Sequence, residues 1–170
     1  MITLIILSVV ILYGFIICGI SKFGMLKSYS AYSAKWGELY PNHNMELWSV
    51  VTVLTAFLIF PVMLNAGDGD PAQCLGFFAP LYLVAVGLTP HYESNKSQEM
   101  AHKYLAMLCA VVSITWMVFV TGTWPAVLLC ALIAFVAMMV TKTTGSLILW
   151  SELVMFVSVH WTLLVLFCHN

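Results

Sequence analysis

The chain has 170 residues, of which 62% are hydrophobic and only 8% are charged. No soluble domain of this size needs so much apolar surface, so the composition argues against a soluble protein. The formal net charge of −1 does not suggest a nucleic-acid partner, and the absence of arginine removes bidentate clamps for phosphate or carboxylate groups.

Six apolar stretches approach the roughly 20 residues that a helix needs to cross a bilayer core of about 30 Å. Runs this long satisfy their backbone hydrogen bonds as helices and are too continuous for barrel strands. The sequence therefore predicts an all-α, polytopic transmembrane bundle that forms one domain over residues 1–170. The predicted spans cover residues 2–20, 45–64, 71–88, 99–120, 124–141 and 146–168. No basic segment precedes the first run, so we expect a retained helix there.

The connection between the first two predicted spans is long for a compact bundle. Its residues Leu26, Tyr29, Ser33, Trp36 and Tyr40 recur near helical spacing, with lysines beside them. This pattern is typical of a helix that lies on the membrane surface, and we expect one over residues 24–40. The alternative is a lid over a cavity, in which the serines of this segment would contact a ligand.

The distribution of lysine predicts the orientation of the chain. All six lysines fall in the first, third and fifth connections or on their helix flanks. Because lysine-bearing loops stay on the cytoplasmic side, we expect both termini outside, in an inner or plasma membrane. Cys74 and Cys168 would then lie at the outer ends of their helices, where a disulfide can form.

The second connection carries Asp68 and Asp70 but no lysine. Two aspartates before Pro71 fall far short of the ligand set of a calcium loop, so we interpret this segment as a solvated turn.

The fourth predicted span carries small and polar residues at spacings of four and three. His102, Ala106, Cys109, Ser113 and Trp116 therefore share one helix face. Lipid offers no partner for polar groups, so we expect this face to point into the bundle.

The last predicted span contains Glu152, the acid that lies well inside an apolar run. Intramembrane ionisable residues are functional candidates because a buried carboxylate is costly unless it is paired or protonated. The predicted topology places Glu152 in the same half of the membrane as His91 and His102. We therefore name these three as candidates for binding a substrate or relaying protons, with Lys103 and Tyr104 at the rim.

Ser113, on the inward face of the fourth predicted span, is a further candidate for binding a substrate or relaying protons. Two imidazoles and a carboxylate would also suit zinc, although no HxxxH or HExxH spacing supports a metal site at His91, His102 and Glu152. The alternative is that the histidines lie among headgroups while Glu152 pairs with Lys103 or stays protonated.

His160 falls in the other half of the membrane, where we expect a hydrogen-bonded core histidine. The alternative is that it lines an outer vestibule with nearby tryptophans.

The segment VGLTPHYESNKSQEMAHKYLAMLCAV joins a helix that ends in proline, a short polar loop and a histidine that opens the next helix. Together with KSYSAY, it resembles a pattern in uncharacterised bacterial six-helix membrane proteins. This resemblance implies no activity. A more distant comparison is with membrane hydrolases of the alkaline ceramidase and progestin-receptor type, but their HxxxH in a late helix is matched here only by His160.

Three functional hypotheses follow from the sequence. The first is a protein that binds or transports a small solute or lipid, with a polar cavity open to the cytoplasmic side. The second is an intramembrane lipid-modifying hydrolase, with or without a metal. The third is an accessory or structural subunit that acts with a partner or as an oligomer. No catalytic or cofactor motif is complete, so the sequence favours a protein without enzymatic activity and identifies no cofactor.

Overall fold

A computed structural model describes residues 1–39, 44–89, 96–142 and 144–168. Within these residues every regular element is helical. The α-helices are α1 Ile2–Phe23, α2 Tyr29–Leu39, α3 Asn44–Ala66, α4 Cys74–Leu88, α5 Lys96–Phe119, α6 Trp124–Thr141 and α7 Leu147–Cys168. Short 3₁₀ turns occupy Pro71–Gln73 and Thr144–Ser146. The predicted all-α class is confirmed.

Five helical stretches in the described part of the chain are long and apolar enough to cross a membrane, and the chain is a multi-pass membrane protein. They are Ile2–Phe23, Ser49–Ala66, Pro71–Leu88, Glu99–Phe119 and Leu147–Cys168. The sixth predicted span corresponds to a shorter apolar helix over Trp124–Val140. Its crossing of the membrane stays a prediction.

Contacts between distant parts of the chain define the two ends of the bundle. At one end, the backbone N–H of Leu149 donates to the carbonyl of Lys27 at 3.0 Å. At the other end, the hydroxyl oxygens of Thr123 and Thr162 lie 2.8 Å apart. The first of these ends carries α2 together with the last turn of α1 and the first turns of α5 and α7. We call it the lysine end, because it holds Lys22, Lys27, Lys35, Lys96, Lys103 and Lys142.

Helices α3 and α4 approach each other closely through small residues. The Ser49 hydroxyl donates to the carbonyl of Gly87 at 2.7 Å. A Cβ atom on Gly87 would lie 3.0 Å from Cβ of Thr52, and one on Gly76 would lie 2.9 Å from the carbonyl oxygen of Met63. Small residues therefore allow α3 and α4 to pack closely.

The remaining helices surround this pair unevenly. Helix α1 lies against α3, and α5 lies against α4. Helix α6 packs along α7 but meets α5 at few positions. The result is a tightly packed group of α1, α3, α4 and α5, with a more open seam between α5 and the α6–α7 pair.

The inward face predicted for α5 is confirmed by burial. His102, Cys109, Ser113 and Trp116 are all buried, and Ala106 is half-buried. The Cys109 thiol contacts the carbonyl of Ala79 on α4.

The predicted turn between α3 and α4 is stabilised by its own aspartate. The Asp70 carboxylate accepts a hydrogen bond from the backbone N–H of Ala72 at 2.6 Å, which caps the following 3₁₀ turn. All five cysteines, including Cys74 and Cys168, are free thiols in this structure.

Candidate functional site

Glu152 lies on α7 at the point where the N-terminus of α2 meets the bundle. Its Oε2 atom accepts a hydrogen bond from the backbone N–H of Tyr29 at 2.6 Å. Tyr29 is the first residue of α2, so this N–H is one that a helix leaves without an intrahelical partner. The intramembrane acid thus caps a helix that is distant in sequence.

The link between α2 and α7 is reciprocal. Leu149 lies in the first turn of α7, and its N–H is bonded to the carbonyl of Lys27 just before α2. Ser28 completes the α2 terminus, because its hydroxyl oxygen accepts from the N–H of Ala31 at 3.2 Å. The N-terminus of α2 therefore lies against Glu152, and the first turn of α7 is bonded to the segment that precedes α2.

Two tyrosines fix α2 against the bundle. Tyr29 is buried, and its ring centroid lies 5.4 Å from that of Phe15 and 5.8 Å from that of Phe156. Burial, and then the nearby Glu152 carboxylate, raise the pKa of Tyr29 well above its usual value, so its phenol stays neutral.

Tyr32 is buried against α1 in the same way. Its hydroxyl donates to the carbonyl of Gly24 at 2.9 Å and accepts from the N–H of Leu26 at 3.2 Å. The ring also lies over Gly19, where an added Cβ would be 2.6 Å from its Cδ1 atom. The segment predicted as an interfacial helix or a lid is thus packed on the lysine end through its tyrosines.

An apolar cavity of about 340 Å³ opens beside Glu152, between α4, α5 and α7. We call it the Glu152 cavity. Apolar side chains form most of its wall, with Tyr29 at one edge. Its lining residues are Tyr29, Leu83, Val86, Ala106, Met107, Cys109, Ala110, Leu147, Ile148, Ser151, Glu152, Met155 and Phe156. Glu152 is the one charged side chain in this described lining.

His102 is also buried at this end of the bundle, but it makes a contact that does not involve Glu152. Its Nδ1 atom is hydrogen-bonded to the carbonyl of Thr89, the residue directly after α4. A carbonyl can only accept, so Nδ1 carries the proton. His102 therefore caps the C-terminus of α4, and it is not among the residues that line the Glu152 cavity.

Lys103 and Tyr104, which the sequence places at the rim, both lie on the surface of α5. Lys103 forms an ion pair with Glu99 one turn earlier. Tyr104 is exposed. Neither residue lines the Glu152 cavity.

Ser113 lies deeper in the bundle, beside a second polar position centred on His160. Both residues border a void of about 10 Å³ together with Cys109. This space is at the lower limit for a single water molecule. The structure thus separates Ser113 from the Glu152 cavity, although Cys109 borders both spaces.

His160 forms the polar contact between α7 and α1, which confirms the expected hydrogen-bonded core histidine. Its Nδ1 donates to the carbonyl of Phe156 at 2.9 Å, and its Nε2 lies 2.9 Å from the hydroxyl oxygen of Ser8. The Tyr13 hydroxyl approaches the same ring at 3.4 Å. A serine beside a histidine can act as a nucleophile, but Ser8 and His160 are both buried and the adjoining void is too small for a substrate.

His91 lies outside the described residues, so its relation to His102 and Glu152 is untested. Among the residues that are described, no three His, Cys, Asp or Glu side chains are grouped to hold a metal ion.

Sequence reasoning did not anticipate the roles of Tyr29, Ser8 and Tyr13. Tyr29 contacts Glu152 through its backbone N–H, which every residue except proline would supply, so the sequence carries no specific signal for that contact. Ser8 does carry a signal, because a hydroxyl group in the middle of a largely apolar span favours a partner on another helix.

Comparisons with known proteins give no match to a protein-family model, a curated protein or a solved structure. A function for this chain is therefore inferred from the geometry around Glu152.

Proposed function

We propose that this protein binds and transports a small amphipathic, lipid-like ligand in the Glu152 cavity. The observation that supports this proposal is a cavity of about 340 Å³ whose described lining is mostly apolar and holds one carboxylate, that of Glu152. Ligand sites in proteins are typically apolar concavities in which a few polar groups fix the orientation of the ligand.

The chemistry of Glu152 favours a ligand head that donates hydrogen bonds and carries positive charge. A carboxylate is an acceptor only, and in a surrounding of low polarity a charge-assisted hydrogen bond is about twice as strong as a neutral one. Only Oε2 is engaged by Tyr29 in the described contacts. The other oxygen is available to an amine or, less favourably, to a hydroxyl group.

The lysines support an orientation for this site. The Glu152 cavity lies toward the lysine end, and lysine-bearing connections remain in the cytoplasm. We therefore infer a cavity that opens toward the cytoplasmic side of an inner or plasma membrane, with both termini outside.

The binding hypothesis fits the geometry better than the hydrolase hypothesis does. A hydrolase needs a nucleophile, a base and a stabilising group around one accessible point. In the described residues Glu152 caps α2, His102 caps α4 and His160 joins α1, so these three groups serve separate contacts.

The test compares ligands that have the same hydrocarbon chain and differ in their head groups. Dodecylamine, dodecanol and dodecanoate are titrated into the detergent-solubilised protein, and binding is measured by calorimetry. We expect the amine to bind most tightly and the acid least. Glu152→Gln keeps an acceptor but removes the charge, so it should weaken amine binding by about tenfold or more, the loss typical of a hydrogen bond to a charged group.

Glu99→Gln is the matched control, because Glu99 is an acid near the same end whose described partner is Lys103 on the surface. It should leave the order and the affinities unchanged. If wild type shows no preference for the amine, or if Glu152→Gln binds all three ligands as wild type does, the proposed function is wrong.

A further inference from the structure

A second apolar space lies next to the Glu152 cavity, between α5, α6 and α7. Its volume is about 470 Å³. We call it the tail groove; its wall includes Ala110, Ile114, Val127, Ala134, Trp150 and Met155. Charged side chains are absent from its described lining.

The tail groove adjoins the Glu152 cavity along a shared wall. Ala110, Leu147, Ser151 and Met155 border both spaces. A molecule whose head lies at Glu152 can therefore extend into the tail groove past these four residues.

The tail groove also has the direction and length of a lipid chain. On α6 its lining runs from Val127 to Met138, a separation of eleven positions, or about 16 Å at the rise of an α-helix. Half of a bilayer core of about 30 Å is about 15 Å, so the groove is as long as one leaflet. Because its wall follows the helices, an occupant lies roughly along the membrane normal, as acyl chains do.

The groove opens sideways toward lipid. Its lining residues Ile114, Phe135 and Leu147 are exposed. Helices α5 and α6 meet at few positions along this seam. A hydrophobic chain can thus enter from the bilayer without passing through water.

We propose that the ligand is a long-chain amine of the membrane itself, with its amino group at Glu152 and its single hydrocarbon chain in the tail groove. This inference rests on the proposed function and adds to it the class of ligand and its route of entry. A cationic head matches the one carboxylate in the described lining of the Glu152 cavity, and the uncharged groove beside it matches a hydrocarbon chain.

Two photoreactive probes test the position of the chain. Both are hexadecylamines; one carries a diazirine at the end of the chain and the other carries it close to the amine. After irradiation of the protein in nanodiscs, mass spectrometry maps the crosslinked residues. We expect the chain-end probe to label the distant part of the groove around Ile114 and Val127, and the head-proximal probe to label Met107 and Ile148 beside Glu152.

Ala134→Phe places a ring in the groove, whereas Val140→Phe adds the same bulk to a strongly exposed position of α6. Chain-end labelling at Ile114 and Val127 should fall to the background of lipid-facing positions in Ala134→Phe and persist in Val140→Phe. Labelling by both probes should fall in Glu152→Gln.

The outcomes separate the two proposals. If calorimetry shows amine binding that depends on Glu152 but chain-end labelling is spread over lipid-facing surfaces, the tail groove is not part of the site and the proposed function stands. If labelling of the groove is the same in Glu152→Gln, bulk lipid occupies it and the inference is wrong. If Ala134→Phe instead dissociates a dimer of the wild-type chain, the groove belongs to a second copy, which also overturns the inference.

Discussion

At the scale of single residues, three ionisable groups of this bundle connect neighbouring helices. Glu152 caps α2, His102 caps α4, and His160 joins α7 to Ser8 of α1. In a membrane such groups find no water, so each one needs a partner within the protein. Glu152 differs from the two histidines because it also borders a cavity large enough for a ligand.

The contact between Ser8 and His160 should contribute measurably to stability. Ser8→Ala leaves Nε2 of His160 without its described partner, and we expect a loss of about 0.5–2 kcal/mol, the range for hydrogen bonds between membrane helices. Thermal unfolding in detergent measures the change. Thr115→Val is the control, because this hydroxyl only bonds the carbonyl of Val111 in its own helix. Equal unfolding temperatures for Ser8→Ala and wild type would contradict the role of this contact.

Glu152 should hold α2 through its acceptor oxygen as well as its charge. Glu152→Ala removes both and should increase hydrogen exchange at the first turn of α2, whereas Glu152→Gln keeps the acceptor and should have a smaller effect. Exchange of peptides that cover residues 26–33, followed by mass spectrometry, gives the comparison. A first turn that exchanges at the wild-type rate in Glu152→Ala would show that the cap does not hold this helix.

At the scale of elements, the helices themselves were predictable and their partners were not. Continuous apolar runs predict the long helices, and the spacing from His102 to Trp116 predicts the buried face of α5. The burial of Tyr29 and Tyr32 could not be predicted from the sequence. Amphipathic spacing with nearby lysines is found both in helices that lie on lipid and in helices that pack on protein. The pairing of α2 with α7 depends on a backbone N–H, which carries no residue-specific signal.

Gly19 should determine whether α2 can dock. An alanine there would bring Cβ to 2.6 Å from the Tyr32 ring, so α2 must shift or detach. We expect Gly19→Ala to destabilise the protein by about 1–3 kcal/mol, as overpacking does, and to expose α2 to limited proteolysis. Gly14→Ala on the same helix is the control, since nothing lies within 4 Å of its added Cβ. Identical cleavage patterns in both variants would contradict this packing.

At the scale of the whole molecule, the bundle has one polar end and a seam that opens to lipid. All six lysines belong to the lysine end, where α2 covers the terminus of α7. Charge alone therefore predicts which way the chain faces. It could not predict the seam between α5 and the α6–α7 pair, because every span has apolar residues on both its buried and its lipid-facing sides.

The orientation can be tested with the native cysteines. Cys74 and Cys168 are exposed at the end opposite the lysines, so a membrane-impermeant maleimide should label them in intact cells. Lys35→Cys, on the exposed side of α2, should react only after permeabilisation. The double variant Cys74→Ser, Cys168→Ser gives the background level of labelling. The reverse pattern of labelling would place the lysine end outside.

The most direct test of the account is whether the Glu152 cavity holds a ligand. Ala106→Trp fills this cavity from α5, whereas Val111→Trp adds the same side chain to a lipid-facing position of that helix. Native mass spectrometry of the proteins equilibrated with dodecylamine reports how many amine molecules each chain binds. We expect one bound amine for wild type and Val111→Trp and none for Ala106→Trp. Equal binding by all three proteins would contradict a ligand site in the Glu152 cavity.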